Sequence, residues 1–336
     1  MVKDTRLKAV VVGCGSIGSL YDEYRRGADP RSHAGAYFRN PRTRLVAGAD
    51  TDATRREKFS KMWGVRSYED YKDMFARERP EIVSVCTWPE SHAEITIAAA
   101  EAGARAVICE KPLADSLING HKLVNACEVR NVCLAVNHSR RWDEAHRQIR
   151  DFLASGQLGN VQHVTVQYVR GIANSGSHIV DLLRFFFGEV DWVRAFDRLR
   201  ERDPDPALDG YIMMRSGVGC SMAGLLRGNY DIFDWDIIGT GGRLKIEDLG
   251  HRTRLWRLAP HPDWPDRHVF IEARSPFPPG LRRMMTSAVD NIVQCLTLNA
   301  TPLDTGRDGL AALETVTALK KSAAAGGDRV NLPLQE

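Results

Sequence analysis

The chain has 336 residues, a formal net charge of +3 and 43% hydrophobic residues. This is a globular composition, too long for one average domain and suited to two. Lys and Arg are dispersed, no apolar run approaches the ~18 residues of a membrane span, and no cationic-then-apolar leader opens the chain, so nucleic-acid and membrane partners are not expected and the expected location is cytoplasmic.

In chain order, residues 8–12 (KAVVV) form a β-branched apolar run that leads directly into Gly13, Cys14, Gly15, Ser16, Ile17 and Gly18. This is G-x-G-x-x-G after a predicted strand. In a dinucleotide site the first glycine permits the turn, the second lets the backbone approach a pyrophosphate, and the third allows close helix–strand packing. A helix is expected from Ser16 through SLYDEY. RRGADPRS then interrupts it, and helical character resumes in HAGAYFRN. The next strand, RLVAGAD, ends at Asp50, well beyond the usual spacing of about 20 residues to the ribose-binding acid. The excess reads as an inserted loop at the C-terminal edge of the sheet, from which Ser32 or His33 could reach a ligand. Asp50 can accept ribose hydroxyls and repels a 2′-phosphate, which favours NAD. Arg55 and Arg56 weaken that preference and keep NADP open.

The alternation then continues. TRREKFSKMWG and SYEDYKDMFARERP are predicted helices, EIVSVCT a buried strand, and Ser91 the expected cap of the helix HAEITIAAAEAG. ARAVICE, DSLINGHKLVNACEVR and VCLAVNH complete a strand–helix–strand series. Repeated units of this kind predict a doubly wound parallel sheet over residues 1–138. From 139 to 336 the pattern changes to an α+β domain. SRRWDEAHRQIRDFLASG is an expected amphipathic helix, LGNVQHVTVQYVRG an alternating strand, and His178 and Asp181 fall on a short apolar helix closed by Gly188. An open, largely antiparallel sheet should follow, and then two late helices.

The seven cysteines (14, 86, 109, 127, 133, 220 and 295) show no C-x-x-C pair and read as reduced, buried thiols. His261 and His268 lie in a proline-rich segment with no third ligand indicated, so no metal site is expected.

GCGSIG, CTWPESHAEITIAAAEAG, VICEKPLA and the segment around His178 occur here in the order found in the Gfo/Idh/MocA oxidoreductases, which the chain resembles over most of its length. The resemblance implies that Lys111 of Glu110-Lys111-Pro112 lies beside the nicotinamide and the substrate hydroxyl, with cis geometry at Lys111–Pro112. It implies that Thr87, Trp88, Pro89 and His92, with Glu110, line the cofactor, alongside Gly13, Gly15, Ser16, Ile17, Gly18 and Asp50. Glu90 stands where the family often has asparagine. His178 takes the place of the family's general acid/base, whose unperturbed pKa near 6.5 suits proton exchange at neutrality. Asn174 occupies the position of the family's assisting aspartate, a departure that removes a charge, and Asp181, one helical turn beyond His178, is placed to support the ring or the Glu110-Lys111-Pro112 region. The resemblance also implies that late helices return to the first domain, and a homodimer or homotetramer through the C-terminal sheet is expected.

The implied activity is hydride transfer between a nicotinamide and a secondary alcohol or ketone of a sugar, sugar derivative or cyclitol. Arg140, Arg141 and Arg170 are candidate contacts for an anionic substrate, against the more ordinary reading of structural arginines. Two rivals remain open: an NAD-dependent glycosidase of the same family, and a non-catalytic sensor of cofactor and sugar, which Asn174 would favour.

Overall fold

The structure, a computed structural model, describes residues 5–23, 29–200 and 203–335. Part of the RRGADPRS interruption, residues 25–28, lies outside the described residues. In chain order the first elements are β1 (Leu7–Val12), α1 (His33–Arg39), β2 (Thr43–Ala49), α2 (Ala53–Trp63), β3 (Arg66–Tyr68) and α3 (Tyr71–Glu78). They are followed by β4 (Ile82–Val85), α4 (Pro89–Glu101), β5 (Ala106–Cys109), α5 (Leu117–Val129) and β6 (Cys133–Val136). Next come α6 (Glu144–Ala154), β7 (Val161–Tyr168), α7 (Ser177–Phe187), β8 (Val190–Phe196), β9 (Asp209–Met214) and β10 (Gly219–Gly224). The chain closes with β11 (Phe233–Gly239), β12 (Gly242–Glu247), β13 (Arg252–Pro260), β14 (His268–Ala273), α8 (Met284–Leu298), α9 (Gly306–Ala324) and β15 (Val330–Asn331).

Two compact units divide the chain: residues 1–142 with 283–313, and residues 143–282 with 314–336. In the first, six strands run in the order β3-β2-β1-β4-β5-β6, and every neighbouring pair is parallel. β4 and β5 are buried at every residue, as expected for strands covered on both faces. One apolar layer joins Val10, Val12, Val83, Val85 and Val107 to α4 and α5 through Ile95, Leu123 and Val124. The opposite layer joins Ala9, Val11, Ile82 and Ile108 to Tyr37 of α1 and to Met285, Val289 and Ile292 of α8. Strand order reverses between β1 and β4, the switch point at which ligands bind in such sheets.

In the second unit nine strands lie in the order β14-β13-β12-β11-β7-β10-β9-β8-β15. All neighbours are antiparallel except β7 and β10. β7 alternates buried Val164, Val166 and Tyr168 with exposed Gln162, Thr165 and Gln167, so one face of the sheet carries the core.

Several local expectations are corrected. The SYEDYKDMFARERP segment is not wholly helical: Arg66–Tyr68 is an edge strand, too short for any alternation to register, and α3 starts at Tyr71, capped by Asp70. Ser91 does not cap α4. Pro89 opens that helix from Trp88, and Ser91 lies inside it, donating from its hydroxyl to Thr87 Oγ1 and the Trp88 carbonyl. The SRRWDEAHRQIRDFLASG helix is broken into a 3-10 turn, Ser139–Trp142, and α6, because Asp143 caps α6 through the His146 N–H. The histidine segment is not all loop: His268 begins β14.

The helix expected from Ser16 is also different. Residues 16–19 are turns, and Leu20–Asp22 is a single 3-10 turn. The chain then returns at Ser32, where the N–H groups of His33 and Ala34 donate to the carbonyls of Ile17 and Gly18. The insertion is spliced into the helix it interrupts. Asp22 secures the splice by accepting from the N–H groups of Arg31 and Ser32 and from the Ser32 hydroxyl, while Ser32 caps α1 through the Gly35 N–H.

Candidate active site

The glycine loop leaves β1 with Gly13 at φ +93°, and a Cβ there would lie 2.6 Å from the Cys86 carbonyl at the end of β4. A Cβ on Gly18 would fall 1.9 Å from the Gly13 carbonyl oxygen. At Gly15 a Cβ would meet nothing nearer than Arg55 Nη1 at 3.9 Å. Two glycines are thus demanded by the fold, whereas the third keeps open space beside the backbone. The N–H groups of Ser16, Ile17 and Gly18 have no acceptor among the described residues. A pyrophosphate placed against Gly15 would satisfy such donors, so these residues fit a dinucleotide.

Asp50 is buried at the end of β2 and braces the loop. Its Oδ2 accepts the Cys14 N–H at 2.8 Å, and its Oδ1 accepts the Asp52 N–H at 2.9 Å. Burial, with the Asp50 charge next, pushes the Cys14 thiol up, so Cys14 is a neutral filler beneath the loop. A carboxylate has about four acceptor positions, which leaves capacity for ribose hydroxyls. Arg55 Nη1 stands 3.8 Å from Asp50 Oδ2. Arg56 is turned away to the Asp50 and Thr51 carbonyls and closes the end of the strand.

Two turns follow the ends of β4 and β5. In the first, Trp88 is 80% exposed, which is unusual for an indole on a well-packed unit. In the second, the Lys111–Pro112 peptide is cis. His92 ties the turns together: its Nδ1 faces the Pro112 carbonyl and its Nε2 the Thr87 carbonyl, each at 3.0 Å. Both partners can only accept, so both ring nitrogens are donors and the ring is an imidazolium. Burial opposes that charge, but the Cys109 sulfur, the Thr87 carbonyl and the Glu110 carboxylate outweigh it and raise His92 to about 9.

Glu110 is buried. Its Oε1 accepts from Asn137 Nδ2 at 2.6 Å and contacts His33 Nε2 at 3.0 Å, and its Oε2 accepts the Lys111 N–H. Burial would raise Glu110, but the His33 and Asn137 hydrogen bonds and the Lys111 charge hold it below its ordinary value. Ser32 and His33 are fully buried, so the expectation that they reach a ligand fails: the splice consumes both.

Sequence reasoning missed the rest of this cluster. Tyr37 Oη lies 2.7 Å from Ser84 Oγ, Ser84 Oγ lies 2.8 Å from His33 Nδ1, and Trp142 Nε1 donates to Asn137 Oδ1. The available signal was Ser84, a polar residue inside the apolar run EIVSVCT. Arg141 is buried, donating to the Leu303 carbonyl with Asp308 at 3.3 Å, the structural reading of that residue.

In the second unit, Gly171–Gly176 is a π-helical turn leading into α7. Asp205 fixes it by accepting the N–H groups of Ala173 and Asn174, and a Cβ on Gly171 would strike the Asp205 carbonyl oxygen at 2.2 Å. π-Turns are rare and frequent at functional sites. Asn174 is exposed, His178 half-buried and Asp181 fully buried. Arg170 makes a two-pronged ion pair with Asp231 at 2.6 and 2.7 Å.

Two family descriptions match this chain: an oxidoreductase family, NAD-binding Rossmann fold, over residues 7–138, and the corresponding C-terminal alpha/beta domain over residues 171–332. The chain belongs to the Gfo/Idh/MocA oxidoreductase family. Among curated relatives it is 28% identical over 203 residues to a D-apiose dehydrogenase of Paraburkholderia graminis, covering 55% of this chain and 51% of that protein. It is 30% identical over 196 residues to an inositol 2-dehydrogenase of Rubrobacter xylanophilus, covering 55% and 53%. The chain thus spans about half the length of the curated relatives it matches. Among solved structures, the WlbA dehydrogenase of Bordetella pertussis, determined with NADH and UDP-GlcNAcA, superposes with a TM-score of 0.80 at 23% identity, covering 98% of this chain and 100% of that one. A likeness at that identity shows the shared fold.

Proposed function

We propose that this protein is an NAD(P)-dependent dehydrogenase or reductase acting on a secondary alcohol or ketone of a sugar, sugar derivative or cyclitol. The observation that carries the reading is the C-terminal edge of the first sheet. There a glycine loop held open at Gly15 and the Glu110–Lys111–Pro112 turn are built on strands of one sheet. The curated relatives named as dehydrogenases of apiose and inositol support the substrate class.

A bound nicotinamide supplies the hydride acceptor. The Ser16, Ile17 and Gly18 amides hold the dinucleotide's phosphates, Asp50 its adenosine ribose, and Thr87, Trp88 and Pro89 line it. Asp50 disfavours a 2′-phosphate by charge, with Arg55 as a partial offset, so parallel titrations with NADH and NADPH decide the cofactor. Lys111 orients the substrate hydroxyl and stabilises negative charge developing on its oxygen. His178 accepts the hydroxyl proton, and returns it when the reaction runs towards the alcohol. Asn174 takes the place of an assisting carboxylate and offers hydrogen bonds without charge.

The test is a panel of sugars and cyclitols followed at the nicotinamide absorbance, beside fluorescence titration of the dinucleotide. Lys111→Ala and His178→Ala should each lower turnover by about 10²–10⁴-fold while dinucleotide affinity is kept. Unchanged turnover in both variants would sink the reading. Dinucleotide binding with no turnover on any substrate would favour the sensor, the reading that Asn174 supports. Glycosidic cleavage without net release of reduced cofactor would favour the glycosidase. Assembly into a dimer or tetramer through the nine-stranded sheet belongs to the same proposal, and sedimentation equilibrium tests it. The exposed Phe270 and Ile271 on edge strand β14 support it.

A further inference from the structure

We infer that His33 is a positioning residue that ties the dinucleotide loop to the Lys111 turn, an inference that rests on the role proposed above for Lys111. The tie has two halves. The His33 main chain belongs to the loop, because its N–H donates to the Ile17 carbonyl at 3.0 Å inside GCGSIG. The His33 ring belongs to the turn, because Nε2 meets Glu110 Oε1 at 3.0 Å, and Oε2 of the same carboxylate accepts the Lys111 N–H at 3.3 Å. One residue therefore connects the edge of β1 with the edge of β5, across β4, whose Ser84 lies between them.

The hydrogen-bond bookkeeping assigns the ring its state. An ionised Glu110 only accepts, so His33 Nε2 carries a proton. With Nδ1 unprotonated, Tyr37 donates to Ser84, Ser84 donates to His33 Nδ1, and His33 donates to Glu110. On the other side Trp142 donates to Asn137, and Asn137 donates to Glu110. Every polar hydrogen in this buried row then has an acceptor. A proton on Nδ1 would reverse the Ser84 bond and leave one hydroxyl hydrogen of the buried Tyr37–Ser84 pair without an acceptor among the described residues. The row ends at the Tyr37 hydroxyl, which is buried and bonds only to Ser84 among the described residues. It is therefore not a proton path to solvent. Its function is to fix one carboxylate, and buried networks that are fully satisfied are rigid.

The fixed carboxylate matters because small displacements of a positioning group are costly in turnover. A misplacement of about 1 Å can lower a rate about 100-fold. The insertion between Gly18 and His33 sharpens the point. Despite the inserted residues, the chain is brought back so that His33 and Ala34 take up the helical bonds to Ile17 and Gly18, and the His33 ring is delivered to Glu110.

The test compares His33→Gln with His33→Asn in the full-length protein. Gln places an amide N–H near the position of Nε2 and can hold Glu110. Asn ends near the position of Nδ1 and keeps only the Ser84 side. The expected result is that His33→Asn loses about 10- to 100-fold in kcat. It should do so with the dinucleotide dissociation constant, read by fluorescence titration, within about threefold of wild type, and His33→Gln should restore most of the loss. In a Lys111→Ala background, exchanging Asn for Gln should make no difference, because the tie acts through Lys111. Equal kcat for the Asn and Gln variants overturns the inference, whether both are active or both impaired. So does a loss confined to dinucleotide affinity. If Lys111→Ala itself keeps full turnover, the functional reading has failed instead, and the two failures are told apart by that one variant.

Discussion

At the residue scale, His92 and Trp88 carry the sharpest consequences. Against burial, the Cys109 sulfur, the Thr87 carbonyl and the Glu110 carboxylate favour the charged His92 ring, whose two nitrogens face the Pro112 and Thr87 carbonyls. Its pKa rises from the ordinary 6.5 to about 9, so its contribution to stability is complete below about 6.5 and is lost as pH rises through about 9. Thermal melts should therefore show the wild type falling towards His92→Gln over that interval, with the largest gap at the acid end. A gap that does not change with pH would mean the ring is neutral. Trp88 is unpacked at 80% exposure, so Trp88→Ala should leave the melting temperature unchanged. If the indole stacks on a dinucleotide, the same change should weaken dinucleotide binding by about tenfold and reduce the tryptophan quenching that accompanies it. Wild-type affinity in the variant would remove Trp88 from the site.

At the scale of elements, the three glycines of the loop separate into two kinds. Gly18→Ala puts a Cβ 1.9 Å from the Gly13 carbonyl, so the loop itself must move, and both stability and dinucleotide binding should fall. Gly15→Ala meets only the far end of Arg55, so its stability should stay within about 0.5 kcal/mol of wild type while dinucleotide binding is lost. Melting and titration on the same two variants check this, and a stable Gly15→Ala that still binds would mean no ligand approaches that backbone. The helix after this loop is short: α1 has seven residues and starts fourteen positions beyond Ser19, the residue at which the insertion departs. Loop amides, not a long helix terminus, therefore face the space beside Gly15.

At the scale of the whole molecule, the first unit is assembled from two stretches of chain, 1–142 and 283–313. Met285, Val289, Ile292 and Val293 of α8 are at most 4% exposed and complete one layer over the parallel sheet. A fragment ending at residue 142 would leave the strand residues beneath them in water. It should lack a cooperative melt and bind a hydrophobic dye, whereas the full chain should do neither. A cooperative transition in the fragment would show that α8 is dispensable.

Much of this architecture was legible from local pattern. Apolar β-branched runs separated by helical periods specify a parallel sheet, since only strands covered on both faces need be apolar throughout. The glycine spacing after KAVVV and the Glu110-Lys111-Pro112 triplet marked the edge where ligands would bind, because backbone constraint and side-chain chemistry are written there in contiguous residues. β3 and the break before α6 were not legible, because three residues show no period and a cap competes with helix continuation. Neither was the use of His33. Its sequence neighbours suggested a residue of the inserted loop reaching a ligand, while its partners are Ser84 and Glu110, 51 and 77 residues away. Contiguous residues determined the cradle and the Lys111 turn. The tertiary fold alone decided that a buried row from Tyr37 to Trp142 would hold Glu110 between them, because hydrogen bonds between distant residues leave no period in a sequence, only isolated polar letters in apolar runs.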